Sequence, residues 1–261
     1  MKKIELKPRH RDFDFEGIPR HWHADPFKTH FFNALQTVFP DGERFFIDSV
    51  RHFRDEIKDA ELKEQIKGFI GQEAIHSREH IKYNEYLGTL GYDVEVLSGG
   101  IRKRLDFLRR RFPAHRQLAS TTSLEHLTAL LAHGLLSNPR WLEGADERMA
   151  NLWRWHLREE IEHKAVAFDV YQTVHGSKAL LRWTLIVATL FLTINTMKGT
   201  MHMLKKDGLL WNFKLWGSGL KWMWGKEGIL RPLLPLYFSY LKKDFHPWKH
   251  DDSDLLKQFN D

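Results

Sequence analysis

Four long stretches of this chain repeat apolar residues every three or four positions, and each repeat is interrupted by a carboxylate. One stretch reads Ile66, Phe69, Glu73, His76, His80, Tyr83, Leu87, and another Leu152, His156, Glu160, His163, Ala167, Val170. A third gives Leu118, Thr122, Glu125, Ala129, Ala132, and a fourth Phe39, Glu43, Phe46, Val50. A period near 3.6 places each set on one face of a helix, so four helices aim an acid at an apolar interior. Burying even one unpaired carboxylate is costly, and four together need a shared compensating charge. Divalent metal ions supply it.

The rest of the chain keeps the same periodicity and shows no run of alternating strands, so the fold class is all-α. Asp25 and Pro26 open a first helix through Phe27 to Phe39. Pro40-Asp41-Gly42 reads as an interruption, with helical pattern resuming from Glu43 to about Ile57. Asp59 caps a second helix reaching Leu87, a basic helix follows near Val94 to Arg111, and Pro113 opens another that Asn138-Pro139 ends. A long helix is expected from about Ala145 to His175, with Gly176 as its C-terminal stop. Six of the ten tryptophans lie beyond that point, so residues 1–176 read as the metal-bearing bundle and 177–261 as a helical extension packed on it.

Composition narrows the chemistry. The absence of cysteine among 261 residues excludes a disulfide framework, a thiolate zinc site and a thiolate-held iron–sulfur cluster, while 16 histidines are on hand. Any metal here sits on His, Asp or Glu. The net charge of +6 suits anionic surfaces without naming one. No recognition motif accompanies the basic residues, so nucleic acid is not an expected partner. No apolar run follows the first lysines, and the cytoplasm is the default location. The apolar stretch Trp183 to Met197 falls short of the roughly twenty residues a bilayer span needs. It reads as the roof of an apolar cavity, with peripheral association at a membrane surface as the alternative.

Two Glu-x-x-His spacings, Glu73/His76 and Glu160/His163, are by count close to chance. Their order carries more weight: single Glu, Glu-x-x-His, single Glu, Glu-x-x-His, one per long helix. That is the known ligand arrangement of ferritin-like di-iron and di-manganese four-helix bundles. The segments Gly42-Glu43-Arg44-Phe45-Phe46, Gly71-Gln72-Glu73-Ala74-Ile75-His76, Trp155 through Lys164, and Phe245-His246-Pro247-Trp248 resemble the family of predicted metal-dependent hydrolases, a ferritin-like group.

His156, four residues before Glu160, gives His-x-x-x-Glu-x-x-His, which is similar to the third histidine of the di-iron arylamine N-oxygenases. That likeness implies Glu43, Glu73, His76, Glu125, His156, Glu160 and His163 as ligands of two metal ions, iron first and manganese second. It implies an oxidoreductase that uses O2 on a small apolar organic substrate, leaving the substrate and the electron donor open. A two-metal hydrolase and a non-catalytic metal-binding bundle are the alternatives. His80 and Tyr83 are expected as packing or cavity lining, Asp169 as a candidate to orient a ligand histidine, and Glu159 and Glu162 as facing solvent or basic partners.

Overall fold

The computed structural model describes residues 4–258 and contains helices and turns without a strand among them. In chain order the helices are α1 Pro26–His52, α2 Ala60–Thr89, α3 Val94–Arg111, α4 Ala114–Ser137, α5 Glu147–His163, α6 Val166–Val174, α7 Lys178–Lys206, α8 Phe213–Trp224, α9 Leu234–Ser239 and α10 Ser253–Lys257. The starts follow from capping side chains. Asp25, Asp59, Asp93 and Asp146 each accept a backbone N–H from the first turn of their helix, and Ser177 does so for α7. Gly176, at φ 73°, supplies the left-handed residue that separates α6 from α7.

Two expected boundaries fall elsewhere. Helix α1 runs through Pro40 without a break, although the ladder loses the bond that its N–H would have given Gln36. Burial explains the difference: Phe31, Phe32, Leu35 and Val38 before the proline and Phe45, Phe46 and Val50 after it lie in one core. Their combined transfer from water, on the order of 1.5–3 kcal/mol each, exceeds the roughly 3 kcal/mol cost of an internal proline. The expected single helix to His175 is instead two, α5 and α6, separated at Lys164 and Ala165. At this break the Lys164 ammonium binds Asp252 of the C-terminal segment at 2.5 Å.

Helices α1, α2, α4, α5 and α6 pack around one interior, and α7 lies along α1 and α4. The apolar segment Trp183–Met197 is the middle of α7, which is 29 residues long and the one described helix long and apolar enough, by length and composition, to cross a membrane. Leu181, Leu185, Met203 and Leu204 bury its inner flank, while Trp183, Ile186, Leu190 and Met201 stay exposed on the other.

Candidate metal centre

The structure brings all seven expected ligands to the middle of the bundle. Glu43 comes from α1, Glu73 and His76 from α2, Glu125 from α4, and His156, Glu160 and His163 from α5, with none more than 2 % exposed. Glu73, His76, Glu160 and His163 offer one donor atom each within 4.8 Å of one another, and so do Glu43, His76 and His156. Glu160 Oε1 lies between the two groups, 3.1 Å from His156 Nε2, 3.9 Å from His76 Nδ1 and 4.0 Å from His163 Nε2. His163 reaches Glu125 at 3.1 Å through Nδ1 and Glu73 at 3.5 Å through Nε2. Aromatic rings wall the imidazoles: Phe39 stacks on His156, Trp155 meets His76 edge-on, and Phe69 does the same to His163.

Inside this dry space the donor atoms outnumber their protein partners. Both carboxylate oxygens of Glu43 and of Glu73, Glu125 Oε1, His76 Nδ1 and His163 Nε2 are buried without a hydrogen bond. Each such orphan costs about 1–3 kcal/mol, so a cluster of them persists where something else satisfies it. Carboxylates and imidazoles converging at this spacing fit divalent metal ions, with Glu160 placed to serve both groups. The same crowding distorts the titration of the metal-free site. Burial, with Glu160 close by, pushes Glu43 far above the carboxylate range, and burial beside Glu125 and Glu160 does the same to Glu73. Burial also lifts Glu125 to about 7. For Glu160 the surrounding imidazoles, His163 foremost, outweigh burial and hold it at about 2. Against burial, Glu160 and Glu125 hold His163 up at about 9. An imidazolium therefore occupies the carboxylate cluster when no metal does, and metal must expel its proton.

A layer of hydrogen bonds fixes these side chains. The Glu160 Oε2 atom accepts from Thr128 at 2.6 Å, which aims Oε1 at the centre. His76 Nε2 donates to Glu159 Oε2 at 3.0 Å, leaving Nδ1 for a metal. Once His156 gives Nε2 to a metal, its Nδ1–H donates to His80 Nε2, 2.9 Å away, so His80 belongs to the site beyond packing. His80 itself stands 3.5 Å from Glu43.

Of the two settings expected for Glu159 and Glu162, solvent or basic partners, the second holds: they are 0 % and 6 % exposed and meet arginines. Arg9, from the segment before α1, binds Glu159 at 3.1 Å and grips both oxygens of Glu162 at 2.8 Å. Gln72 and Arg158 add bonds to Glu162 at 3.0 and 3.3 Å. The segment reaches this position because Gly68 and Gly71 on α2 carry no Cβ, which would overlap Leu6 and Pro8. Arg9 sits some 150 positions from its partners, so no helical spacing could have announced it. Asp169 does not orient a ligand histidine either, because it accepts from His246 at 3.0 Å and ties the Phe245-His246-Pro247-Trp248 segment to α6. Tyr83 donates to Asn33 Oδ1 at 2.8 Å and has no part in the cluster. His126, Glu125's neighbour, packs between Tyr240 and Phe245, where burial drives it down to about 3.

An all-α bundle enclosing a buried carboxylate–imidazole centre with clusters fit for metal is a metal-dependent class of protein. The chain belongs to the predicted metal-dependent hydrolase family, whose model matches residues 7–251. No curated protein and no solved structure matches it.

Proposed function

We propose that this chain is a hydrolase whose chemistry depends on two divalent metal ions held by Glu43, Glu73, His76, Glu125, His156, Glu160 and His163. The observation that carries it is the set of buried, unpartnered carboxylate oxygens and imidazole nitrogens converging from four helices, together with the family's description. When bound, such ions supply a water of lowered pKa and positive charge for an acyl or phosphoryl oxygen. The protein's own part is distinct. Glu160, held by Thr128, keeps one oxygen at the boundary of the two groups. Glu159 accepts the Nε2–H of His76, and His80 Nε2 would accept the Nδ1–H of His156 once a metal takes its Nε2. The wall of Phe39, Phe69 and Trp155 excludes bulk water and strengthens each charge interaction inside.

A second reading rests on how closed the centre is. With every ligand at most 2 % exposed, a small apolar molecule such as O2 enters more readily than an ester or a phosphate. Iron or manganese on this mixed N/O donor set, with an external reductant, would then support oxidation of a small apolar organic substrate. One experiment separates the readings. Protein reconstituted with iron, manganese or zinc is analysed for metal content and assayed on an ester and phosphoester panel with and without O2. Turnover under strict anaerobiosis supports hydrolysis. Absence of turnover there, with O2 consumption in the reduced iron or manganese form, replaces it with the second reading. Substoichiometric metal in every case refutes both.

A further inference from the structure

The stretch from Ser177 to Lys226 contains eight lysines and arginines and one carboxylate, Asp207. Arg20, His21, His30 and Tyr92 take up that carboxylate on its inner side, so the outer surface of α7 and α8 has no acid to offset its basic residues. Between these charges the surface is apolar. On α7, Trp183, Ile186, Leu190, Ile194 and Met201 stand out at helical spacing as one stripe. Next to α8, Trp211 and Phe213 are each 78 % exposed. The stripe and α8 adjoin, because a cavity of about 520 Å³ has Thr193 and Met197 of α7 and Leu220 and Trp224 of α8 in its walls. Leu35 of α1 and Leu131 of α4 form its floor toward the bundle.

Exposed tryptophans and phenylalanine among lysines are what an element lying in a membrane interface presents, the rings at headgroup depth and the ammonium groups at the phosphates. A second copy of the chain is the poorer fit, since a two-fold contact would set this unrelieved basic surface against itself. The inner flank of α7 is occupied by α1 and α4, which places the helix along the bilayer surface and not across it. We propose that the α7–α8 face docks on an anionic lipid bilayer and that the cavity beneath it opens onto the acyl chains. The proposal is independent of the metal centre, and protein with and without metal should bind alike.

The test uses full-length protein with vesicles of phosphatidylcholine alone or with phosphatidylglycerol. Binding to the anionic vesicles at low salt, weakened at high salt, is expected, with little binding to the neutral ones. Each basic residue near such a surface is worth about fivefold in partitioning, so Lys214→Gln/Lys221→Gln should lose about 25-fold. Lipids brominated in the acyl chain should quench tryptophan fluorescence, and Trp183→Phe/Trp211→Phe/Trp224→Phe should lose most of that quenching while the melting temperature holds. No binding to anionic vesicles at low salt overturns the proposal, as does binding without quenching. A concentration-dependent dimer that Trp183→Ser/Trp211→Ser dissolves also overturns it, making the face a subunit contact.

Discussion

Replacing Glu159 tests whether the buried layer behind the ligands sets metal affinity. Glu159 has no exposed surface and both its neighbours donate, His76 Nε2 at 3.0 Å and Arg9 Nη1 at 3.1 Å. An amide of the same shape has one acceptor and one donor. In Glu159→Gln, therefore, the amide cannot accept from both, and its N–H faces either Arg9 or His76. If the oxygen stays on His76, the imidazole keeps its orientation and loses only the carboxylate's charge. If it turns to Arg9, His76 either buries an unpaired Nε2–H or shifts the proton to Nδ1 so that Nε2 accepts the amide N–H, which closes Nδ1 to the metal. Substitutions behind metal ligands typically cost 10–100-fold in affinity, or about 1.4–2.7 kcal/mol, and these two arrangements bracket that range. Arg9 retains its two bonds to Glu162 in either case, so the fold should survive.

The assay is chelator competition at pH 7 on reconstituted protein, with thermal melting as the control for folding. Glu160→Ala, which removes an atom within 4.0 Å of three imidazoles, should abolish stoichiometric binding of at least one ion. Affinity of Glu159→Gln within twofold of the parent would refute the assignment of His76 Nδ1 to the metal. A loss as complete as that of Glu160→Ala would make Glu159 itself a ligand.

Reconstituted protein should contain about two metal ions per chain by elemental analysis, because seven ligands exceed what one ion of this kind coordinates. Zinc at one equivalent with no uptake of iron or manganese would refute this. The metal-free protein should lose stability as pH rises from 6.5 to about 9. Over that window the unfolded chain has released protons that folded His163, Glu43 and Glu73 still hold, so stability falls with pH. Below 6.5 the buried neutral His76 and His80 act in the opposite sense, and metal-loaded protein should show no decline across the window; melting temperatures measured from pH 6.5 to 9 check both. Metal binding at pH 7 should release protons, read by calorimetry in buffers of different ionisation enthalpy, and zero release would contradict the protonated state of His163. Gly134→Ala should destabilise the protein by about 1–3 kcal/mol, seen as a lowered melting temperature, since its Cβ would overlap the Trp141 ring.

The convergence of the seven candidate side chains was legible in the sequence because helices convert spacing into direction. Glu73 with His76, and His156 with Glu160 and His163, each lie within two turns, so a single face angle brings them together before any tertiary contact is known. Glu43 and Glu125 stood out because each interrupts an apolar stripe, and a stripe of that kind says which side is inside. The same rule read Glu159 and Glu162 as facing solvent or basic partners; the basic partners are there in Arg9 and Arg158, but the burial comes from a second layer that local periodicity cannot anticipate. That layer is an extended segment without periodicity of its own, whose fit depends on two glycines of α2 and one arginine. Pro40 misled for a related reason: its cost is local, whereas the burial that overrides it is distributed over α1 and every helix packed on it. At Lys164 and Ala165 the sequence pattern continues and the helix does not, and no local residue marks the break. Pro40 and the Arg9 layer share one cause. In both, contacts distant in sequence decide what a residue faces, and the seven candidate ligands escaped it because their inward faces already agreed with the core that the distant contacts build.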